Sequence, residues 1–236
     1  MRERERVTQG KAPATFGKIA VVVVDMQDDF LLRGAPTELP RGRRIIPKLR
    51  RLLASARACG YPVFHIVTYH RRDGLDLENL ERIRGQLHCV EGSDGARIVR
   101  DLRPAEDDFV VVKRRYSGFY ETTLDMLLRR LGVGIVVFTG VATNGCVLAT
   151  ALDAYFRDYW VVVVSDCVEA ETRGLHEAGL TITKYLIGPT PSSSLMMRFF
   201  RHYRTDEVDP QAFLTDGLLV RRRHDLKRRR PLHGGP

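Results

Sequence analysis

Three residues, far apart in the chain, have the types needed for nucleophilic chemistry on a carbonyl group. Asp25 follows the valine run Val21 to Val24, Lys113 follows Val110 to Val112, and Cys146 closes the turn Thr139-Gly140-Val141-Ala142-Thr143-Asn144-Gly145. Each alone has an ordinary structural explanation. An Asp or Lys at a strand end is commonly a solvated terminus or half of a salt bridge, and a solitary Cys is commonly a small buried apolar residue. Together they form a working set. A thiol holds little thiolate at neutral pH, and both a helix N-terminus and a nearby ammonium would lower its pKa. A carboxylate within reach could take the thiol proton and return it to a leaving amine, while the lysine keeps that carboxylate ionised and oriented. Backbone N–H groups of the Gly140 to Cys146 turn are suited to an oxyanion that forms only as the carbonyl becomes tetrahedral.

Such residues meet only if the chain brings three strand ends together. Ile19 to Asp25, Val63 to Thr68, Phe109 to Lys113, Ile135 to Thr139 and Trp160 to Ser165 read as strands. They are nearly continuous in Val and Ile, as a strand covered on both faces requires. Between them, Ile45 to Ala58, Thr122 to Leu131 and Val147 to Phe156 have the spacing of amphipathic helices, and Gly60-Tyr61-Pro62 and Gly132-Val133-Gly134 stand where helices must stop. The alternation predicts a single doubly wound α/β domain over 18–205, with a mostly parallel sheet flanked by helices. A leader (1–17) precedes it and a basic tail (206–236) follows. His70 to Leu102 reads as long loops with a short helix. In open α/β sheets the ligand crevice lies beyond the carboxyl ends of the strands, where all three residues fall.

The 236 residues suffice for one substantial core, and 44% hydrophobic content is ordinary for a globular chain. The longest apolar runs, such as Ile19 to Val24, are far below the ~20 residues of a membrane span. The N-terminus mixes charges and has no apolar segment of the secretory type, so a cytoplasmic location is expected. Cys59, Cys89, Cys146 and Cys167 are widely separated with no CxxC pair, which favours free thiols. Of the net charge of +9, the stretch Arg221 to Arg230 supplies +6, from seven basic residues against Asp225. No aromatic residue is interleaved there to stack on bases, so a solvated tail is expected and a nucleic-acid partner is not.

Val23-Val24-Asp25-Met26-Gln27-Asp28-Asp29-Phe30, Val112-Lys113 with Tyr116-Ser117-Gly118-Phe119, and above all Thr139 to Val147 resemble the isochorismatase-like cysteine hydrolases. The resemblance runs from about Lys18 to Arg201. It implies an Asp25–Lys113–Cys146 triad that forms a thioester, and a cis peptide between Val141 and Ala142 that lets the N–H groups of Ala142 and Cys146 serve as oxyanion hole. It also implies Gln27, Phe30, Tyr116 and Phe119 as pocket-lining residues, no cofactor, and assembly into homo-oligomers. Tyr116 to Phe119 and Asn144 look closer to the ureidoacrylate and carbamoyl amidohydrolases of the group, which points to a small amide or ureido substrate that releases ammonia, with Asn144 beside it.

Nicotinamidases of the same group carry an Asp-x-His and a later His that bind a metal. Here the matching stretch reads Thr68-Tyr69-His70, with His88 further on, so the carboxylate ligand is missing and no metal is expected. His65 and Cys167 read as structural, Trp160 as a core residue, and Asp166 as a group supporting the site from behind. Thr190 to Ser194 lacks the glycines and lysine of a phosphate loop and reads as a helix N-cap. Two other readings stand beside the amidase: a vinyl-ether hydrolase, which Cys146 argues against, and a non-catalytic binding protein on the same fold.

Overall fold

In the computed structural model, which describes residues 17–203, alternate residues of the first strand face opposite halves of the interior. Ile19, Val21 and Val23 join one core, and Ala20, Val22 and Val24 join the other. Side chains alternate across a strand, so a strand sandwiched between two helical layers must be apolar at every position. The valine run satisfies that requirement.

The elements follow in the order β1 (Lys18–Val24), α1 (Asp28–Leu31), α2 (Ile46–Ala58), β2 (Val63–Thr68), α3 (Asn79–Arg84), β3 (Phe109–Lys113), α4 (Leu124–Arg130), β4 (Val133–Val141), α5 (Cys146–Tyr155), β5 (Trp160–Glu169), α6 (Arg173–Ile182) and α7 (Ser193–His202). The five strands form one sheet in the order β3-β2-β1-β4-β5, every neighbouring pair parallel. Helices α2 and α7 cover one face, where Leu49, Leu52, Met196 and Phe199 pack, and α4 and α5 cover the other with Leu124, Leu128, Val147 and Ala151. The predicted leader and tail lie outside the described residues, apart from Gly17 of the leader.

Local chemistry explains the element boundaries. Gly60 and Gly132 take positive φ (76° and 70°) where α2 and α4 end, a conformation in which glycine carries no Cβ penalty. The Ser192 side chain accepts the Leu195 N–H and so caps α7, as the Thr190 to Ser194 stretch predicts. Asp166 accepts the Ser193 N–H at 2.6 Å and pairs with Lys48 at 3.1 Å, so it anchors α7 to α2 instead of backing the site. Cys167 is buried in the core. His65, also buried, contacts Asp108 at 3.1 Å, and Arg57 joins the same carboxylate. Trp160 departs from expectation: it is 42% exposed, because it opens β5 at the sheet edge before helix cover begins. Helix α6 carried no clear signal in the sequence. Most of its residues are exposed, and Gly179 is the only one of them that is buried.

The sheet order places a topological switch at β1 and β4, whose connections leave in opposite directions, and a crevice opens at their carboxyl ends. Gly140 secures this junction. Its φ is +101°, and a Cβ there would lie 2.1 Å from the Val24 carbonyl oxygen. Gly140→Ala is therefore expected to destabilise the fold by more than about 2 kcal/mol, from strain and a forced shift of β1 against β4. Urea denaturation followed by circular dichroism measures it, and an unchanged midpoint would contradict the close approach.

Candidate active site

The carboxyl ends of three adjacent strands each contribute one side chain to a single buried network. β1 ends at Asp25, whose φ of 52° lies in the left-handed region, which Asp enters more readily than most residues. Its N–H still bonds to the Ile66 carbonyl at 2.9 Å, so the turn away from the strand is held by β2. Lys113 ends β3, opposite Thr68 of β2. Parallel neighbours sit about 4.8 Å apart, so Lys113 starts roughly 10 Å from β1, a span that only a long side chain bridges. Its stem crosses the end of β2, where a short residue, Thr68, leaves room.

The ammonium arrives with a partner for each of its three protons. Lys113 Nζ lies 2.9 Å from Asp25 Oδ2, donates to Thr68 Oγ1 at 2.7 Å and to Cys146 Sγ at 3.4 Å. Thr68 Oγ1 in turn donates to Asp25 Oδ1 at 2.8 Å. Asp25 and Lys113 are 1% and 2% exposed. Two charges so deeply buried persist only when paired and supported by hydrogen bonds, and here the ion pair is braced by the Thr68 hydroxyl. Burial alone would pull the Lys113 pKa down, but Asp25 and the Cys146 sulfur outweigh it and hold the group above its usual value. Lys113 stays charged.

Cys146 is the first residue of α5, half-buried and open to the cavity. The sequence predicts a lowered thiol pKa; the structure gives the opposite direction. Burial pushes it up, the Asp25 carboxylate adds to the effect, and Lys113 only partly offsets them. A raised pKa favours the protonated thiol, which has the Asp25 carboxylate as a neighbour. Before it, the Val141–Ala142 peptide is cis. The Ala142 carbonyl accepts from both Gly145 N–H (3.0 Å) and Val147 N–H (3.1 Å), which folds the turn tightly beneath the sulfur.

A cavity of about 430 Å³ opens over Cys146, Asp25 and Lys113. Phe30, Tyr116, Ala142 and Asn144 line it as the sequence suggests, and the buried Asn144 Oδ1 has no protein partner. Two proposed lining residues lie elsewhere. Gln27 is fully buried with its amide spent on backbone: Nε2 donates to the carbonyls of Thr68 and Ala96, and Oε1 accepts the Thr68 N–H, all at 2.8 Å. It holds the end of β2 in place. Phe119 is 5% exposed and packs in the core beside Tyr159, since Gly118 turns the chain inward against Ile66 and Thr150.

The far wall of the cavity bears on the expectation about metal. His70, His88 and Glu81 converge, one ligand atom of each within 4.8 Å of the others. The strand position is Thr68, as the sequence shows, but α3 delivers the missing carboxylate from another direction. His88 Nδ1 lies 3.0 Å from the Gln86 carbonyl, and its Nε2 faces Glu81 Oε1 at 3.9 Å. His70 Nδ1, Glu81 Oε2 and Glu78 Oε2 are buried without hydrogen-bond partners. Burial, with Glu78 beside it, pushes Glu81 up to about 8. Two imidazoles, a carboxylate and orphaned lone pairs fit a divalent cation of the zinc type. Glu81 and Thr68 are the residues that sequence reasoning missed. Thr68 could have been found from its place at a strand end level with Asp25 and Lys113, whereas Glu81 belongs to an irregular segment with no periodic signal.

Two outcomes follow. Thr68→Val removes the hydroxyl between two buried charges and is expected to lower stability by about 1–3 kcal/mol, measured by denaturant titration at pH 7. Cobalt(II) added to the protein should develop visible d–d absorption that His88→Ala abolishes; equal spectra from the two proteins would exclude a cation at these residues.

The isochorismatase domain family matches residues 19–192. The chain is 35% identical over 179 residues to a protein of Arabidopsis thaliana designated a probable inactive nicotinamidase, covering 73% of this chain and 91% of that one. It is 32% identical over 182 residues to a ureidoacrylate amidohydrolase of Klebsiella pneumoniae, covering 68% and 74%. The solved N-carbamoylsarcosine amidase of Thermoplasma acidophilum superposes with a TM-score of 0.66 at 32% identity, covering 75% of this chain and 96% of that one. With the domain matched over most of its length and relatives this similar, the chain belongs to the isochorismatase family of hydrolases.

Proposed function

We propose that this protein is a cysteine amidohydrolase that cleaves the C–N bond of a small ureido, carbamoyl or carboxamide compound and releases ammonia. The observation that carries the reading is the shared ammonium: one buried lysine contacts both a carboxylate and a sulfur at the floor of a small polar cavity. The names of the Klebsiella and Thermoplasma relatives favour ureido and carbamoyl substrates.

In this mechanism Asp25 takes the thiol proton as Cys146 Sγ bonds to the substrate carbonyl carbon, so charge is transferred only as the bond forms. The oxyanion is met by the N–H groups of Ala142 and Cys146. Asp25 passes its proton to the departing nitrogen, the C–N bond breaks, and ammonia leaves a thioester on Cys146. A water then gives a proton to Asp25 while its oxygen attacks the thioester carbon. The acid is released, and the proton returns to sulfur. Lys113 pairs with Asp25 and steadies the sulfur as it gains negative charge. Phe30, Tyr116 and Asn144 contact the substrate. A cation held by His70, Glu81 and His88 would supply a Lewis-acidic anchor for a substrate nitrogen or oxygen. Tyr155 and Phe156, exposed at the end of α5, offer apolar surface for the expected homo-oligomer.

A second reading, binding without turnover, is favoured by the designation of the Arabidopsis relative. Ammonia release from a panel of ureido and carboxamide compounds separates the two. Cys146→Ala should abolish release, and Asp25→Asn should lower it by about 100-fold or more, the range of a lost acid–base group. Iodoacetamide alkylation distinguishes their causes. Asp25 raises the thiol pKa and Lys113 lowers it, so Asp25→Asn should alkylate at least as fast as the native protein and Lys113→Ala more slowly. Normal turnover by Cys146→Ala would refute the assignment.

A further inference from the structure

The turn that carries the oxyanion donors is gripped from behind by a polar cluster that never reaches the cavity. Thr143, 1% exposed, donates its N–H to the Glu169 carbonyl at the end of β5, at 2.9 Å. Its hydroxyl lies 3.0 Å from His176 Nδ1 on α6. The same His176 nitrogen lies 3.7 Å from Glu169 Oε1, and Arg41 Nε lies 3.3 Å from Glu169 Oε2. Glu169 Oε1 also accepts the Ala170 N–H at 3.1 Å, which folds the carboxylate back over its own backbone. Helix α6 closes on the turn through Gly179, where a Cβ would come within 2.9 Å of the Thr143 carbonyl oxygen and 3.1 Å of the Asn144 nitrogen.

Thr143, Glu169, Arg41 and His176 are all absent from the cavity wall, whereas Ala142, Asn144 and Cys146 are part of it. Any influence of the first group on catalysis must pass through the backbone of the second. The cluster touches neither Asp25 nor Lys113, which lie at the ends of other strands. From this geometry we infer that His176 is a positioning residue: with Glu169 and Arg41 it fixes the Thr143 peptide and thereby aims the N–H groups of Ala142 and Cys146 at the oxyanion. The inference rests on the cysteine chemistry proposed above. It separates two parts of the site, the Asp25–Thr68–Lys113 network set by β1, β2 and β3 and the turn bearing Cys146 and the oxyanion donors, which β5 and α6 hold.

The test compares His176→Ala, His176→Asn and Gly179→Ala with the native full-length chain. Asparagine can place an amide where the imidazole Nδ1 stands; alanine cannot. Two readouts do not require turnover. Alkylation of Cys146 by iodoacetamide reports the sulfur and its charged neighbours. Reversible binding of butyraldehyde reports the oxyanion turn as well, because the sulfur bonds to the carbonyl carbon, the carbonyl oxygen takes up the developing charge, and the thiol proton completes the hemithioacetal.

His176→Ala and Gly179→Ala are expected to lower kcat about ten-fold or more with KM within about two-fold, since oxyanion donors act in the transition state. Butyraldehyde affinity should fall by a similar factor while the alkylation rate stays within about two-fold, and His176→Asn should recover most of both losses. Unchanged aldehyde affinity in His176→Ala would overturn the inference. So would an alkylation rate that falls in step with it, or an asparagine variant no better than alanine, since either points to general loosening. A native protein that turns over no amide would sink the proposed function alone, because the aldehyde comparison still decides the role of His176.

Discussion

The site depends on a buried ion pair whose members stand on strands that are not neighbours. Asp25 and Lys113 are separated by β2, and both have left water almost completely. Removing two charges from solvent is expensive, and their attraction repays it only with good geometry and satisfied hydrogen bonds. That condition propagates outward. It requires a small hydroxyl at the end of β2 and a β2 end that does not drift. Gln27 meets the second demand by binding Thr68 through both its backbone groups. Losing either ion would leave the other uncompensated in a low-dielectric interior, a change commonly worth about 3–5 kcal/mol.

The pair also sets the electrostatics of the sulfur. A site holding only the ammonium would stabilise a resting thiolate; one holding only the carboxylate would suppress it. With both present, burial and Asp25 prevail and the thiol keeps its proton. A raised thiol pKa leaves the cavity without a free negative sulfur at neutral pH. Such a thiol is also less exposed to adventitious oxidation, which follows thiolate character.

The fold and the convergence of Asp25, Lys113 and Cys146 were legible because both rest on local, periodic or chemically conspicuous features. Continuous valine runs reported two-sided burial, glycines marked the helix stops, and charged residues at the ends of apolar runs stood out against their surroundings. What stayed hidden depends on direction in space. Gln27 and Phe119 sit next to site residues in sequence, yet one is turned toward backbone and the other into the core. Trp160 is apolar but stands where the sheet has lost its cover. Glu81 belongs to a six-residue helix in an irregular segment, and nothing in its neighbours' spacing shows that it meets His70 and His88. The direction of the Cys146 pKa required knowing how deeply the sulfur and its two charged neighbours are enclosed.

Thr68 carries a wider consequence. The resemblance to nicotinamidases implies a metal-ligating aspartate at its position, but here the hydroxyl is occupied as the bridge between Asp25 and Lys113. A single strand-terminal position can serve the charge relay or the ligand shell, and its allocation to one obliges another element to supply the other. A short helix in a loop can change length and angle without disturbing the sheet. With its carboxylate on α3, the His70–Glu81–His88 wall can change shape while the Asp25–Thr68–Lys113 floor stays fixed by the sheet.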